Sequence, residues 1–275
     1  MSDAVRDRDR ALTAKGEELA GLLHHPAAGV LLALLDNPTL DETQVCLLLN
    51  RKDLPAEFLE EVVRRKALLK DYRVKRSLAF HPRAPRLVSL RLLKDLYLMD
   101  LVQVALLPGV SAELKRNAED QLLARMPQIP LGQKITLARR GPARVAGMLL
   151  AEGHARVLPI ILDNVHLTES QVLRVLASEN LPPNVVLAIA HHYKWSNTYN
   201  VRLALVRHQS SPLSTILAYL PELTVSDLRE LTAPGVVPES LRKYLQAEVQ
   251  RRMRASAESA RRSETLGSSR ASKED

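Results

Sequence analysis

Eight histidines are the most chemically versatile side chains in the sequence, because imidazole can act as general base, nucleophile or metal ligand. Their spacing argues against a shared site. His24-His25 and His191-His192 are adjacent pairs, and neighbours on a helix point about 100° apart, so neither pair chelates one ion easily. No H-E-x-x-H occurs. His81 and His208 each precede a turn marked by proline, a placement that suits the capping of a helix end by ring N–H donors. The single cysteine, Cys46, lies in the apolar run Val45-Cys46-Leu47-Leu48-Leu49 and reads as a small buried hydrophobe. One thiol builds neither a disulfide nor a cysteine-based zinc site. The carboxylate pairs Glu17-Glu18 and Glu60-Glu61 sit in strongly charged, solvated surroundings, whereas general acid–base work needs a cleft and a shifted pKa. There is no phosphate loop, no dinucleotide fingerprint and no G-x-S-x-G elbow. Gly141 and Gly147 bracket five residues, but no Lys-Ser/Thr follows. The expectation is no catalytic residue, no cofactor and no metal.

Charge is more informative. The chain has 275 residues and a formal charge of +8. Arg64, Arg65, Lys66, Lys70, Arg73, Lys75 and Arg76 set seven cations against Asp71 within thirteen residues. A second cluster is Lys134, Arg139, Arg140 and Arg144. A third is Arg242, Lys243, Arg251, Arg252 and Arg254 around Glu248. Such groups attract phosphate backbones, acidic protein segments or anionic lipid heads. The densest aromatic group is Tyr193, Trp195 and Tyr199. Tyr193 and Trp195 are candidate contacts for a partner, although packing is the simpler role for Trp195.

These residues must be held by helices. Aromatics make up 3% of the chain and glycines number 10, too few of either for a β-sandwich, barrel or propeller. The strongest signal is an internal duplication. Residues 30–116 align without a gap on 157–243, an offset of 127, with 24 of 87 positions identical, against roughly a tenth by chance. Leu35-Asp36-Asn37 matches Leu162-Asp163-Asn164, Tyr72 matches Tyr199, His81 matches His208, and Asp100-Leu101 matches Asp227-Leu228. Asp41 and Thr168 read as N-caps with Gln44 and Gln171 at N3, which predicts a capping box in the second copy and staples from Leu40 to Val45 and Leu167 to Val172. The aligned copy of the Arg64–Arg76 segment keeps only Lys194 and Arg202, so the charge is not required by the duplication, and its removal is expected to spare stability.

Apolar runs of about ten residues, punctuated by Pro, Asn or Ser, predict about seventeen short helices and no strand. Short tandem helices with no sheet to cover bury their stripes on one another, so the expected fold is all-α, an α-solenoid of stacked helix pairs. Val74-Lys75 and Val201-Arg202 near helix starts, with Pro turns of the His-Pro-x-x-Pro kind, resemble the HEAT-like repeats and the bacterial leucine-rich repeat variant over most of residues 22–245. The resemblance implies a fold and no activity. The iron–sulfur domain found in the variant family needs a cysteine cluster, and this chain has Cys46 alone.

The expected organisation is a charged segment or capping helix at 1–20, one repeat domain at 21–254 and a disordered tail at 255–275, whose four basic and four acidic side chains cancel. No leader-like N-terminus and no apolar stretch of ~18 residues is present, which points to the cytoplasm. The expected function is a non-catalytic scaffold with a protein partner. The alternative is a HEAT-like nucleic-acid-binding protein or DNA repair enzyme with a basic groove, for which no residue supplies the catalytic acid.

Overall fold

The computed structural model describes residues 3–178, 180–233, 237 and 239–271; residues 1, 2 and 272–275, at the ends of the expected terminal segments, lie outside it. Among the described residues there are eighteen α-helices, a few 3-10 turns and no strand, so the chain is all-α. It divides into two compact units, Met1–Ile129 and Pro130–Asp275, where the sequence predicts one domain over 21–254.

The first unit contains α1 (Asp3–Thr13), α2 (Gly16–Leu22), α3 (Ala28–Leu35), α4 (Glu42–Leu49), α5 (Ala56–Arg64), α6 (Tyr72–Phe80), α7 (Arg86–Leu92), α8 (Leu98–Leu106) and α9 (Ala112–Arg125). The second contains α10 (Leu131–Arg140), α11 (Ala143–Glu152), α12 (Leu158–Leu162), α13 (Glu169–Leu176), α14 (Pro183–His191), α15 (Tyr199–Arg207), α16 (Leu213–Tyr219), α17 (Val225–Leu231) and α18 (Glu239–Ala271). Helices α4 to α7 and α13 to α16 begin and end 127 residues apart at every boundary. The starts of α2, α8 and α9 match those of α11, α17 and α18, and the ends of α1 and α3 match those of α10 and α12. The offset of 127 therefore runs through both units and beyond the 30–116 and 157–243 windows.

Within the first unit α1 packs on α3, α3 on α5, α4 on α6, and α8 on α9. Within the second, α10 packs on α12, α12 on α14, α11 on α13, α13 on α15, and α17 on α18. From α1 to α6 and from α10 to α15 most helices thus find a cover for their apolar stripe two helices along, whereas α8 with α9 and α17 with α18 pack as consecutive pairs. Phe58, Leu59 and Val62 of α5 are fully buried, at a spacing that fits one helical face, and each such side chain contributes about 1.5–3 kcal/mol.

Local chemistry explains the helix starts. In α4 the capping box is closed: Asp41 accepts from the Gln44 N–H at 2.7 Å and Gln44 Oε1 accepts from the Asp41 N–H at 2.9 Å. In α13 Thr168 accepts from the Gln171 N–H at 3.4 Å, but the Gln171 side chain lies over Gly147, where an added Cβ would come within 2.7 Å of its Oε1. The box is therefore in the first copy and not, as predicted, in the second. Pro55, Pro85, Pro130, Pro142, Pro182 and Pro212 stand at N-cap positions, just before the first turn rather than inside it, with the extended ψ that starts a helix. The last helix continues to Ala271, into the stretch predicted to be a disordered tail. Its Ala, Arg and Glu residues favour helix, and no proline interrupts it. No described helix is long and apolar enough to cross a membrane.

Candidate interaction surface

The identical residues of the two units make identical ties. Tyr72 donates to the Asp100 carboxylate and accepts from the Tyr97 N–H at 2.9 Å; Tyr199 donates to Asp227 and accepts from the Thr224 N–H at 3.0 Å. Burial and the Asp100 hydrogen bond, in that order, push the Tyr72 phenol up to about 12. Asp227 is held below the usual carboxylate range by hydrogen bonds from Thr224 and Tyr199. His81 Nδ1 accepts from the Arg83 N–H at 3.1 Å, which places the ring proton on Nε2, 2.7 Å from the Arg51 carbonyl. His208 repeats this with the Ser210 N–H and the Ser178 carbonyl. Both rings are buried, and each serves a carbonyl just beyond the end of α4 or α13, not the end of its own helix. Asn37 and Asn164 are the buried amides of the set, bonded to the carbonyls of Ala11 and Ala14 and of Ala138 and Gly141.

One tie is kept with different residues. In the first unit Arg65 donates to the Leu35 carbonyl and pairs with Asp36 and Glu61. In the second, Trp195 Nε1 donates to the Leu162 carbonyl at 2.9 Å, and His192 Nε2 lies 3.1 Å from Asp163. Trp195 is 2% exposed, with Lys194 Nζ 4.2 Å from its ring centroid. It is a core residue bonded to backbone and offers no ring to a partner, which corrects its candidacy as an aromatic contact. Tyr193 is exposed and tilted against the His192 ring.

The basic clusters are mostly neutralised locally. Arg64 pairs with Glu61 at 3.5 Å, Arg73 with Asp71 at 3.0 Å, Lys75 with Asp95 at 2.8 Å and Arg76 with Asp100 at 2.7 Å. Lys66 and Lys70 are exposed with no carboxylate partner among the described residues. Arg65 is structural, so the cluster is not wholly dispensable as the sequence suggests. Lys134 pairs with Glu152, while Arg139, Arg140 and Arg144 are exposed. In α18, Arg251 and Arg252 pair with Glu248, and Arg252 also donates to the carbonyls of Leu220 and Leu223, as Arg125 does to those of Lys94 and Leu96. Residues 1–129 hold 20 basic and 18 acidic side chains and residues 130–275 hold 19 and 13, so most of the net charge belongs to the second unit rather than to the dense Arg64–Arg76 run.

The feature missed by sequence alone is a groove between α13 and α15, with a volume of about 630 Å³. Its floor is Leu173, Leu176, Leu203 and Ala204, and its rim includes Asn200 and Arg207. Asn200 donates to Glu169 at 2.8 Å and Arg207 pairs with Glu230 at 3.0 Å; Arg174 stands exposed on α13. At the corresponding places the first unit has Arg73, Arg76 and Phe80 for Asn200, Leu203 and Arg207. Arg76 lies 4.9 Å over the Phe80 ring while bonded to Asp100 and Gln103, so a paired cation stands where the second unit has Leu203. The replacement of a large paired cation by leucine was the available signal.

Compared with protein-family models, curated proteins and solved structures, the chain matches none.

Proposed function

We propose that the chain is a non-catalytic helical-repeat scaffold, an α-solenoid of the HEAT-like or leucine-rich-repeat-variant kind, that binds a protein partner. The packing of alternate helices on one another within each unit supports this arrangement, since stacked helix pairs generate extended binding surfaces. The observation that carries the functional reading is the α13–α15 groove. Its apolar floor, with Asn200 and Arg207 at the rim, suits a segment with apolar and acidic side chains. The nucleic-acid alternative has less behind it, because five of the seven cations from Arg64 to Arg76 are paired with carboxylates and Trp195 is buried.

The test places a photo-cross-linking amino acid at Leu203 and, as a control, at the exposed Val165. Cross-linking to a discrete protein from position 203 alone, lost on adding Leu173→Asp, is the expected result. Cross-linking to nucleic acid from position 203, with duplex affinity that falls steeply as salt is raised, would replace the scaffold reading with the alternative.

A further inference from the structure

The first unit holds a cavity that none of these ties fills. It is bounded by the C-terminal end of α6, by α7 and by the turn from α8 to α9, and has a volume of about 530 Å³. Phe80, Leu107, Val110 and Leu114 line it. The turn passes through Gly109 at φ +81°, a backbone conformation that side chains rarely adopt, so this wall has a fixed course. Size and lining fall within the usual range for small-molecule sites, which combine apolar walls with a few placed polar groups.

Of the polar residues that line the same space, His81 is shared with the second copy as His208 and Ser111 caps α9, which leaves three for a ligand: Lys52, Arg86 and Ser89. All three belong to the first copy alone, since the residues 127 positions on are Glu179, Leu213 and Ile216. Ile216 sits in the core of its unit at 6% exposure. The helix position therefore accepts a branched apolar side chain, and Ser89 is not there to satisfy the fold. Serine leaves the space that isoleucine would occupy. It is 4% exposed, and its hydroxyl makes no hydrogen bond among the described residues. Its oxygen is not sealed off from the cavity, so it is open to a hydrogen bond with a ligand atom. Lys52 is exposed and has no carboxylate partner among the described residues, and Arg86 is shared with Glu113. The site therefore offers an apolar interior, one unspent positive charge and one half-spent one.

We propose that this cavity binds a small amphipathic carboxylate, with its apolar body against Phe80, Leu107, Val110 and Leu114 and its carboxylate at Lys52, Arg86 and the Ser89 hydroxyl. An extended hydrocarbon body of about ten carbons fits such a volume. The second unit carries neither the cations nor the hydroxyl at these positions, so the site is specific to the first.

The probe is decanoate at concentrations below micelle formation, titrated into the full chain by calorimetry, with decanol as the uncharged control. Saturable one-to-one binding is expected, with decanol at least tenfold weaker. Ser89→Ile should weaken decanoate at least tenfold by filling the cavity while keeping the circular-dichroism melt, because the second copy already carries isoleucine at this place. Lys52→Ala with Arg86→Ala should weaken it at least tenfold through the head group. In the wild-type chain, methyl resonances of Leu107, Val110 and Leu114 should shift on titration, a readout independent of whether any variant folds. Non-saturable binding, equal affinity for decanol, or shifts confined to other methyls would each overturn the proposal.

Discussion

Replacing Asn164 with alanine tests the logic of the buried ties most directly. Asn164 is 2% exposed. Its Nδ2 donates to Ala138 O at 2.7 Å and Gly141 O at 3.2 Å, and its Oδ1 accepts from the His166 N–H at 2.6 Å. The two carbonyls belong to the C-terminal end of α10, where intrahelical donors run out, so one side chain from the end of α12 serves the end of another helix. Alanine removes three hydrogen bonds and leaves their partners buried. At about 1 kcal/mol net per bond, and more where a group stays unsatisfied, the loss should be about 3 kcal/mol, or about 10 °C in melting temperature for a unit of this size. Asn37→Ala should lose less, because Thr39 Oγ1 still donates to Ala14 O at 3.1 Å. Urea denaturation followed by fluorescence reads the second unit directly, since the single tryptophan, Trp195, is buried there. A shift below about 1 kcal/mol for Asn164→Ala would show that the amide is spectator to the packing and would refute the reasoning.

Arg65→Ala should cost about 1–2 kcal/mol through the lost bonds to the Leu35 carbonyl and Asp36, whereas Arg64→Ala, at an exposed pair, should stay within about 0.5 kcal/mol; equal effects in chemical denaturation would contradict this. Gly153→Ala should cost about 1–2 kcal/mol, because φ is +72° and the new Cβ would lie 3.0 Å from Val185 Cγ2; an unchanged thermal midpoint would exclude the strain. The Tyr72 phenol is raised to about 12 from an ordinary value near 10, so its contribution is complete below pH 10 and is lost as pH rises through 12. Tyr72→Phe, which keeps the ring stacked 4.0 Å from Tyr97, should lose less stability than wild type across that window in alkaline melts.

Helix content and order were legible because apolar periodicity, proline turns and caps act locally. The offset of 127 was legible for residues 30–116, but it is hidden towards the termini. Only 4 of 27 positions agree between 3–29 and 130–156, a chance level, although Asn37 and Asn164 reach Ala11 and Ala138 alike. Backbone carbonyls are the conserved partners there, and carbonyls carry no sequence signature. The same holds for Arg65, whose seven-cation neighbourhood suggested an anion site while its guanidinium served the Leu35 carbonyl and two carboxylates. Ion pairing across turns, such as Lys75 with Asp95 and Arg76 with Asp100, depends on which helices stack, and residue counts within thirteen positions cannot see it. Trp195 stood opposite Leu68 in the alignment, which correctly suggested packing; its indole bond to Leu162 needed coordinates. The groove on α13 and α15 and the cavity near Ser89 arise from side chains that are absent, and space left by a smaller residue has no local code.

The carbonyl before the shared Asp-Asn pair also constrains the route by which the two copies could have diverged. One copy holds Leu35 O with Arg65 and places Leu68 three residues on; the other holds Leu162 O with Trp195 and places His192 three residues before it. Converting one solution to the other takes two substitutions. If tryptophan arrives first, the carbonyl has two competing donors and stays bonded. If histidine arrives first beside leucine, the ring takes the aspartate and the carbonyl is left with no donor in the interior, a loss of the order of 1–3 kcal/mol. The order of replacement therefore matters although both end points supply the carbonyl with a donor, and in the second unit His192→Arg alone should be tolerated where Trp195→Leu alone is not.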